Sequence, residues 1–174
     1  MDETGQFDHI IDCRGLAAPS DGQRLRGVRG ELIWLHAPQV KLKHLVRLMH
    51  PRYKLYIVPR ENDTYIIGAS QLESEFEGNI TVRSALELLS AAYSVHSGFA
   101  EAEILKTDTN LRPAYPDNQP QINVDNKCIS INGLFRHGYL LTPALCDIAT
   151  DYIFEGHSSH DLASALLKET KHYA

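Results

Sequence analysis

Short apolar runs of strand length dominate the chain, and a helical period emerges in only two stretches. Phe7 to Cys13 reads as a strand too short to stand alone, followed by Arg14-Gly15-Leu16-Ala17-Ala18-Pro19 and a polar turn over Ser20–Gln23. A second strand covers Leu25–Ala37, with Gly27 and Gly30 where the backbone turns or is closely approached, and Pro38 ends it. Leu42–Met49 has a period shared by strand and short helix and is read as a strand. The clearest hairpin joins Leu55–Arg60 to Thr64–Ser70 through Glu61-Asn62-Asp63, two β-branched and aromatic runs around a polar turn.

Ile80–His96 is the stronger helix. Val82, Leu86, Leu89, Tyr93 and His96 recur at intervals of four and three, a stripe suited to packing on a sheet. Asn79 or Thr81 caps its start and Gly98 stops it. Ala100–Asp108 returns as a strand, and Asn110–Pro120, with three of the eight prolines, reads as an ordered loop or set of turns. Ile122–Val124 and Cys128–Ile131 form a hairpin across Asp125-Asn126. Thr142 as cap, Pro143 at the first helical position, and Leu145, Ile148, Ala149 and Tyr152 on one face specify a second helix. Gly156–Asp161 is a polar break before a short helical stretch at Leu162–Leu167. This pattern predicts an α+β fold, a mainly antiparallel or mixed sheet with flanking helices.

Composition narrows the class. The 174 residues suffice for one sizeable core or two small ones, and 43% hydrophobic with 22% charged residues excludes disordered and collagen-like chains. The formal charge of −5, with no stretch that concentrates Lys and Arg, argues against nucleic acid as a partner. Cys13, Cys128 and Cys146 are odd in number and widely spaced, which fits a reducing compartment. No apolar run reaches membrane-spanning length, and the N-terminus opens with acidic residues; a soluble cytoplasmic protein without a membrane partner is expected.

No HExxH, P-loop, GxSxG or zinc-ligand spacing occurs. His157 and His160 read as surface residues rather than metal ligands, and Glu73, Glu75 and Glu77 lack the Asp/Asn and Gly spacing of a calcium loop, so no metal is expected. Two arginines stand out, Arg112 before Pro113 and Arg136 among apolar residues ahead of Gly138. Each either closes a salt bridge at a sheet edge or contributes to holding a planar carboxylate through parallel hydrogen bonds. Gly138, just ahead of the second helix, permits close backbone approach near exposed N–H groups; that arrangement suits the pyrimidine edge of a reduced flavin and equally an ordinary helix cap.

The strings FDHIIDCRG, LRGVRGE, HPRYKLYIVPRENDTYIIGASQLESE, TVRSALELLSAAYSVH, LRPAYPDNQPQI and INGLFRHGYLLTPALCDIATDYI, in this order, cover nearly all of residues 7–155. Together they resemble the C-terminal portion of the FAD-dependent D-amino-acid oxidase superfamily, most closely its thiamine-pathway glycine oxidases. The resemblance implies a substrate carboxylate held by Arg112, Arg136 and Tyr56. It implies FAD lying against Gly133, Phe135, Arg136, His137, Gly138, Tyr139 and Leu140, with Cys13, Arg14 and Gly15 at a strand end near the cofactor. His137 and the Ser70 of IGAS differ from commoner family residues without removing a clamp group.

Similarity further implies hydride transfer from the α-carbon of glycine, or of another small amine or amino acid, to flavin N5. The imine then hydrolyses, and dioxygen reoxidises the flavin to give peroxide, so no protein nucleophile is required. Sarcosine, proline, another D-amino acid or a modified tRNA base are the other substrates weighed. The family's GxGxxG turn and ribose-binding acid are absent from these residues. The chain is therefore expected to be a fragment that is inactive alone and binds FAD weakly. Residues 1–24 would be a remnant of the FAD-binding domain, 25–110 the substrate domain, 111–155 the return to the FAD-binding domain, and 156–174 a tail. An uncovered face would favour self-association into a homo-oligomer. The competing class is a non-catalytic module that binds a small carboxylate or mediates assembly.

Overall fold

The computed structural model describes residues 7–18, 25–50 and 54–169; the turn expected over Ser20–Gln23 lies outside the described residues. In chain order the elements are β1 (Ile10–Asp12), β2 (Arg26–His36), β3 (Val46–Met49), β4 (Lys54–Pro59), β5 (Thr64–Gly68), α1 (Val82–Val95), β6 (Glu103–Ala114), β7 (Gln121–Asp125), β8 (Cys128–Asn132), α2 (Gly138–Glu155), α3 (Ala163–Leu166) and β9 (Leu167–Glu169). Short 3-10 turns at Gly15–Ala17 and Ser97–Glu101 follow β1 and α1. The chain divides into a discontinuous unit, residues 1–27 with 112–174, and a contiguous unit, residues 28–111. The fold is α+β with mixed and antiparallel sheets and flanking helices.

The discontinuous unit carries the sheet β1-β8-β7-β9. β7 and β8 form the expected hairpin, with Asn126 at φ 51 in its turn, while β1 joins β8 and β9 joins β7 in parallel. Leu145, Ile148 and Ala149 of α2 pack with Ile122, Val124 and Ile129 of the sheet, and Tyr152 is partly buried against them, so the predicted apolar face is the one used. The start of α2 differs from expectation. The helix begins at Gly138, and Thr142 is no cap; its hydroxyl donates to the Gly138 carbonyl one turn back at 2.6 Å. Pro143 thus lies inside the helix, where only the carbonyl of exposed Tyr139 loses a partner. Gly156 closes the helix at φ 74.

The contiguous unit is built on the order β3-β4-β5-β2-β6. Alternation along β2, β4 and β5 sends Ile33, Leu35, Leu55, Ile57, Tyr65 and Ile67 to one face, which α1 covers with Leu88, Ala91 and Ala92. The stripe expected for α1 is corrected here. Val82, Leu86 and Tyr93 are exposed, and the alanine-rich side faces the sheet, where small residues let helix and sheet approach closely. Thr81 caps α1 by accepting from the Ser84 N–H at 3.2 Å. Gly98 does not stop it; His96 does, at φ −151, and its ring then accepts from the Gly98 N–H.

Two other boundaries move. Only Val46–Met49 of the predicted Leu42–Met49 strand pairs. β6 continues through Arg112 and Pro113 to Ala114, where a loop was expected; it is an edge strand, and the missing N–H of Pro113 breaks no ladder bond on the open side.

The connector between β5 and α1 is more than a solvated loop. Arg29 and Glu31, two apart on β2 and each 1% exposed, form a buried ion pair at 2.9 Å. The Arg29 guanidinium donates to the carbonyls of Phe76 and, at 2.7 Å, Asn79, and its backbone bridges Leu72. Burial alone would raise the Glu31 pKa. Hydrogen bonds from Ser84, Ser70, Arg29 and the Thr81 N–H outweigh it and hold the carboxyl below its ordinary value.

Candidate functional site

The parallel pair β1·β8 leaves two strand ends beside each other, and the residues just beyond them make the site in the discontinuous unit. Asp12 accepts from the Arg14 backbone N–H at 3.0 Å and from its guanidinium at 2.6 Å, and the guanidinium hydrogen bond lowers the Asp12 pKa. Arg14 is thereby folded back on its own strand end. Gly15 follows at φ +61, and its carbonyl accepts from the Asn132 amide at 2.9 Å. The same amide group accepts the Gly133 N–H through Oδ1 at 2.8 Å, so buried Asn132 fixes both strand ends at once.

Gly133 stands at φ +73, and a Cβ there would drive into the ring of buried Tyr115, whose hydroxyl accepts from Asn123 at 3.1 Å. Phe135 is also left-handed, at φ 53, and its N–H donates to the Pro113 carbonyl at 3.0 Å. That single bond sets side by side the two segments that carry Arg112 and Arg136, each one residue from a bonded partner. The Arg136 guanidinium lies 5.9 Å from the Phe135 ring centroid, and its Nε–H points to His137 Nε2 at 3.4 Å. Arg136 is exposed and Arg112 half-buried. Residues 13–15, 112–113 and 132–138 are thus tied together in one unit.

Tyr56 belongs to the contiguous unit. It sits on β4 opposite Gly68 of β5, and its ring lies over that glycine: a Cβ at Gly68 would stand 2.6 Å from the phenol oxygen. Gly68→Ala is expected to push the ring outward and to cost about 1 kcal/mol, the low end for overpacking because the half-exposed phenol can swing into solvent; thermal unfolding measures it.

The chemistry of these residues fits a flavin edge. Gly138 leaves its backbone partly exposed, and the first turn of the 18-residue helix α2 presents exposed Tyr139 and Leu140 with the positive end of the helix dipole. Cys13 is exposed as a residue, and partial desolvation of its sulfur, with the Asp12 carboxylate nearby, raises its pKa, the direction opposite to thiolate activation. Among the described residues no cluster of three or more His, Cys, Asp or Glu side chains could hold a metal, and no helix is long and apolar enough to cross a membrane. His160 accepts from the Leu162 N–H in a local turn.

Reading the sequence alone missed Asn132, Tyr115, Arg29 and Glu31. The available signals were a polar residue closing the apolar strand CISIN ahead of a glycine, and opposite charges two apart within a strand.

The family FAD dependent oxidoreductase matches residues 2–152. A Rhizobium etli protein named as the thiamine biosynthesis oxidoreductase ThiO is 46% identical over 138 residues, 79% of this chain and 42% of its own length. Glycine oxidase of Geobacillus kaustophilus is 25% identical over 139 residues, 78% of this chain and 36% of its own length. The crystal structure of glycine oxidase from Bacillus cereus superposes with a TM-score of 0.74 at 23% identity, covering 88% of this chain and 44% of that one. Iminodiacetate oxidase from Chelativorans sp. BNC1 superposes at 0.75 with 21% identity, covering 94% and 46%. The chain therefore spans less than half the length of these relatives. With a family match over residues 2–152, the chain belongs to the FAD dependent oxidoreductases of the D-amino-acid oxidase superfamily.

Proposed function

We propose that the chain is the substrate-binding and flavin-edge portion of a cytoplasmic oxidase that converts glycine, or a similar small amine, to an imine with release of peroxide. The observation that carries this reading is the bond from Phe135 N–H to the Pro113 carbonyl, which brings the Arg112 and Arg136 segments together beside Gly15 and Gly133. Two guanidinium groups there suit a substrate carboxylate. Gly15, Gly133, Phe135, His137, Gly138, Tyr139 and Leu140, with Cys13 and Arg14, would hold the cofactor. Bound FAD supplies the redox chemistry there: two-electron oxidation of the amine, with the electrons passed on to dioxygen as peroxide.

The protein's part is binding and alignment. Clamping the carboxylate fixes which α-hydrogen faces the cofactor, and the N–H groups opening α2 favour an electron-rich ring edge. Purified from its complete reading frame, the protein is expected to show flavin absorbance and glycine-dependent peroxide formation. The 174-residue chain alone is expected to hold flavin weakly and to form no peroxide. Failure of the protein from the complete frame to retain flavin overturns the reading and leaves a non-catalytic carboxylate-binding module.

A further inference from the structure

The contiguous unit holds a cavity of about 870 Å³ that none of the flavin or carboxylate residues named above lines. One wall is the chain after β2, with Lys41, Leu42 and Lys43, and the other is the β4·β5 hairpin, with Pro59, Arg60, Glu61 and Asp63. Bonds between the walls hold them in place. The Ala37 N–H donates to the Asp63 carbonyl at 2.9 Å, the Lys41 ammonium pairs with the Asp63 carboxylate at 3.1 Å, and the Tyr65 hydroxyl donates to the carbonyl of buried Val40 at 2.6 Å. The cavity is therefore preformed.

Trp34 of β2 also lines it and is half-buried. Its indole N–H donates to Asp108 of β6 at 2.7 Å, and the Lys106 ammonium, itself paired with Asp108 at 3.0 Å, stands 4.5 Å from the ring centroid. β2 lies between β5 and β6, and neither Lys106 nor Asp108 lines the cavity, so they fix the ring from the β6 side and leave its other side to the cavity. Trp34, Leu42 and Pro59 give the lining an apolar part; Lys41, Lys43 and Arg60 give it a cationic part. Asp63 already pairs with Lys41. Lys43 and Arg60, from opposite walls, are exposed and make no ion pair among the described residues, and Glu61 is the lining carboxylate that opposes them.

Two cations on facing walls suit one anion with several oxygens, and a fixed indole suits a planar ring stacked on it. The volume lies within the roughly 300–1,000 Å³ of small-molecule sites and exceeds what a bare phosphate fills. We propose that this cavity binds a phosphate monoester carried on a planar heteroaromatic ring, as in a nucleoside monophosphate, with the phosphate on Lys43 and Arg60 and the ring against Trp34. Charges kept only for solubility would take a phosphate without regard to the ring, and the test separates the two.

Trp34 is the one tryptophan of the chain, so its fluorescence reports the cavity directly. Adenosine monophosphate is titrated into the 174-residue chain, with adenosine as the ring without phosphate and ribose 5-phosphate as the phosphate without ring. The monophosphate is expected to quench the emission saturably. Adenosine, and ribose 5-phosphate read by its displacement of the monophosphate, are each expected to bind at least about tenfold more weakly. Lys43→Met and Arg60→Met should each weaken the monophosphate about tenfold, the effect of losing one charge-assisted hydrogen bond, whereas Glu61→Gln should tighten it about twofold. Because the three substitutions are independent and all at exposed positions, misfolding of one leaves the other two to decide. Three results overturn the inference: no saturable quenching, adenosine or ribose 5-phosphate binding as tightly as the monophosphate, or folded methionine variants within about twofold of the parent.

Discussion

Arg29→Met is expected to lower the stability of the protein by about 3–5 kcal/mol, the cost of leaving a buried carboxylate without its partner. Glu31 is 1% exposed, and the substitution strips from it the guanidinium at 2.9 Å. The carbonyls of Phe76 and Asn79 lose their donor in the same step, so the connector that leads into α1 loses its anchor as well. Urea denaturation should show the midpoint falling by more than about 1 M. The double variant Arg29→Met with Glu31→Met should recover part of the loss, because an apolar pair of similar volume removes the stranded charge. A single variant less than about 1 kcal/mol below the parent would show that the pair is not desolvated.

Arg112→Met in the flavin-loaded enzyme is expected to reduce kcat/KM for glycine about 10- to 100-fold, chiefly through KM, since charge-assisted hydrogen bonds to a carboxylate contribute about 1.5–3 kcal/mol. Turnover falls too if the α-hydrogen is misplaced. Arg112→Lys should recover little, because an ammonium cannot form the two parallel bonds of a guanidinium. Steady-state kinetics across glycine concentrations separate the two parameters. Unchanged kinetics would return Arg112 to the role of a sheet-edge charge.

The hairpins were readable because their information is local: alternation, a polar turn with Asn or Asp, and β-branched flanks specify β4·β5 and β7·β8 without knowledge of the rest. The face of α1 was not. Its large residues Val82, Leu86 and Tyr93 make the stronger stripe, yet Ala91 and Ala92 meet the sheet, a choice decided by how near the helix comes. Thr142-Pro143 has the local signature of a helix start, but the turn before it is already helical because the Leu140 and Leu141 N–H groups donate to the His137 carbonyl. Similarly, Pro113 reads as a loop residue unless its strand is known to be an edge. At the site, the residue types at 112 and 136 were conspicuous. Their joining through Phe135 and Pro113, and the part of Asn132, depend on segments far apart in the chain that no periodicity connects.

The Asn132 to Gly15 bond joins residues 117 positions apart. While the chain leaves the ribosome, β1 must wait for β8, roughly 6–23 s at ordinary rates of synthesis. The uninterrupted segment 28–111 can gather its own core during that interval. An early-exposed β1 therefore spends the wait as an unclaimed edge, and its brevity, three residues ending in Asp12, limits what it can wrongly recruit.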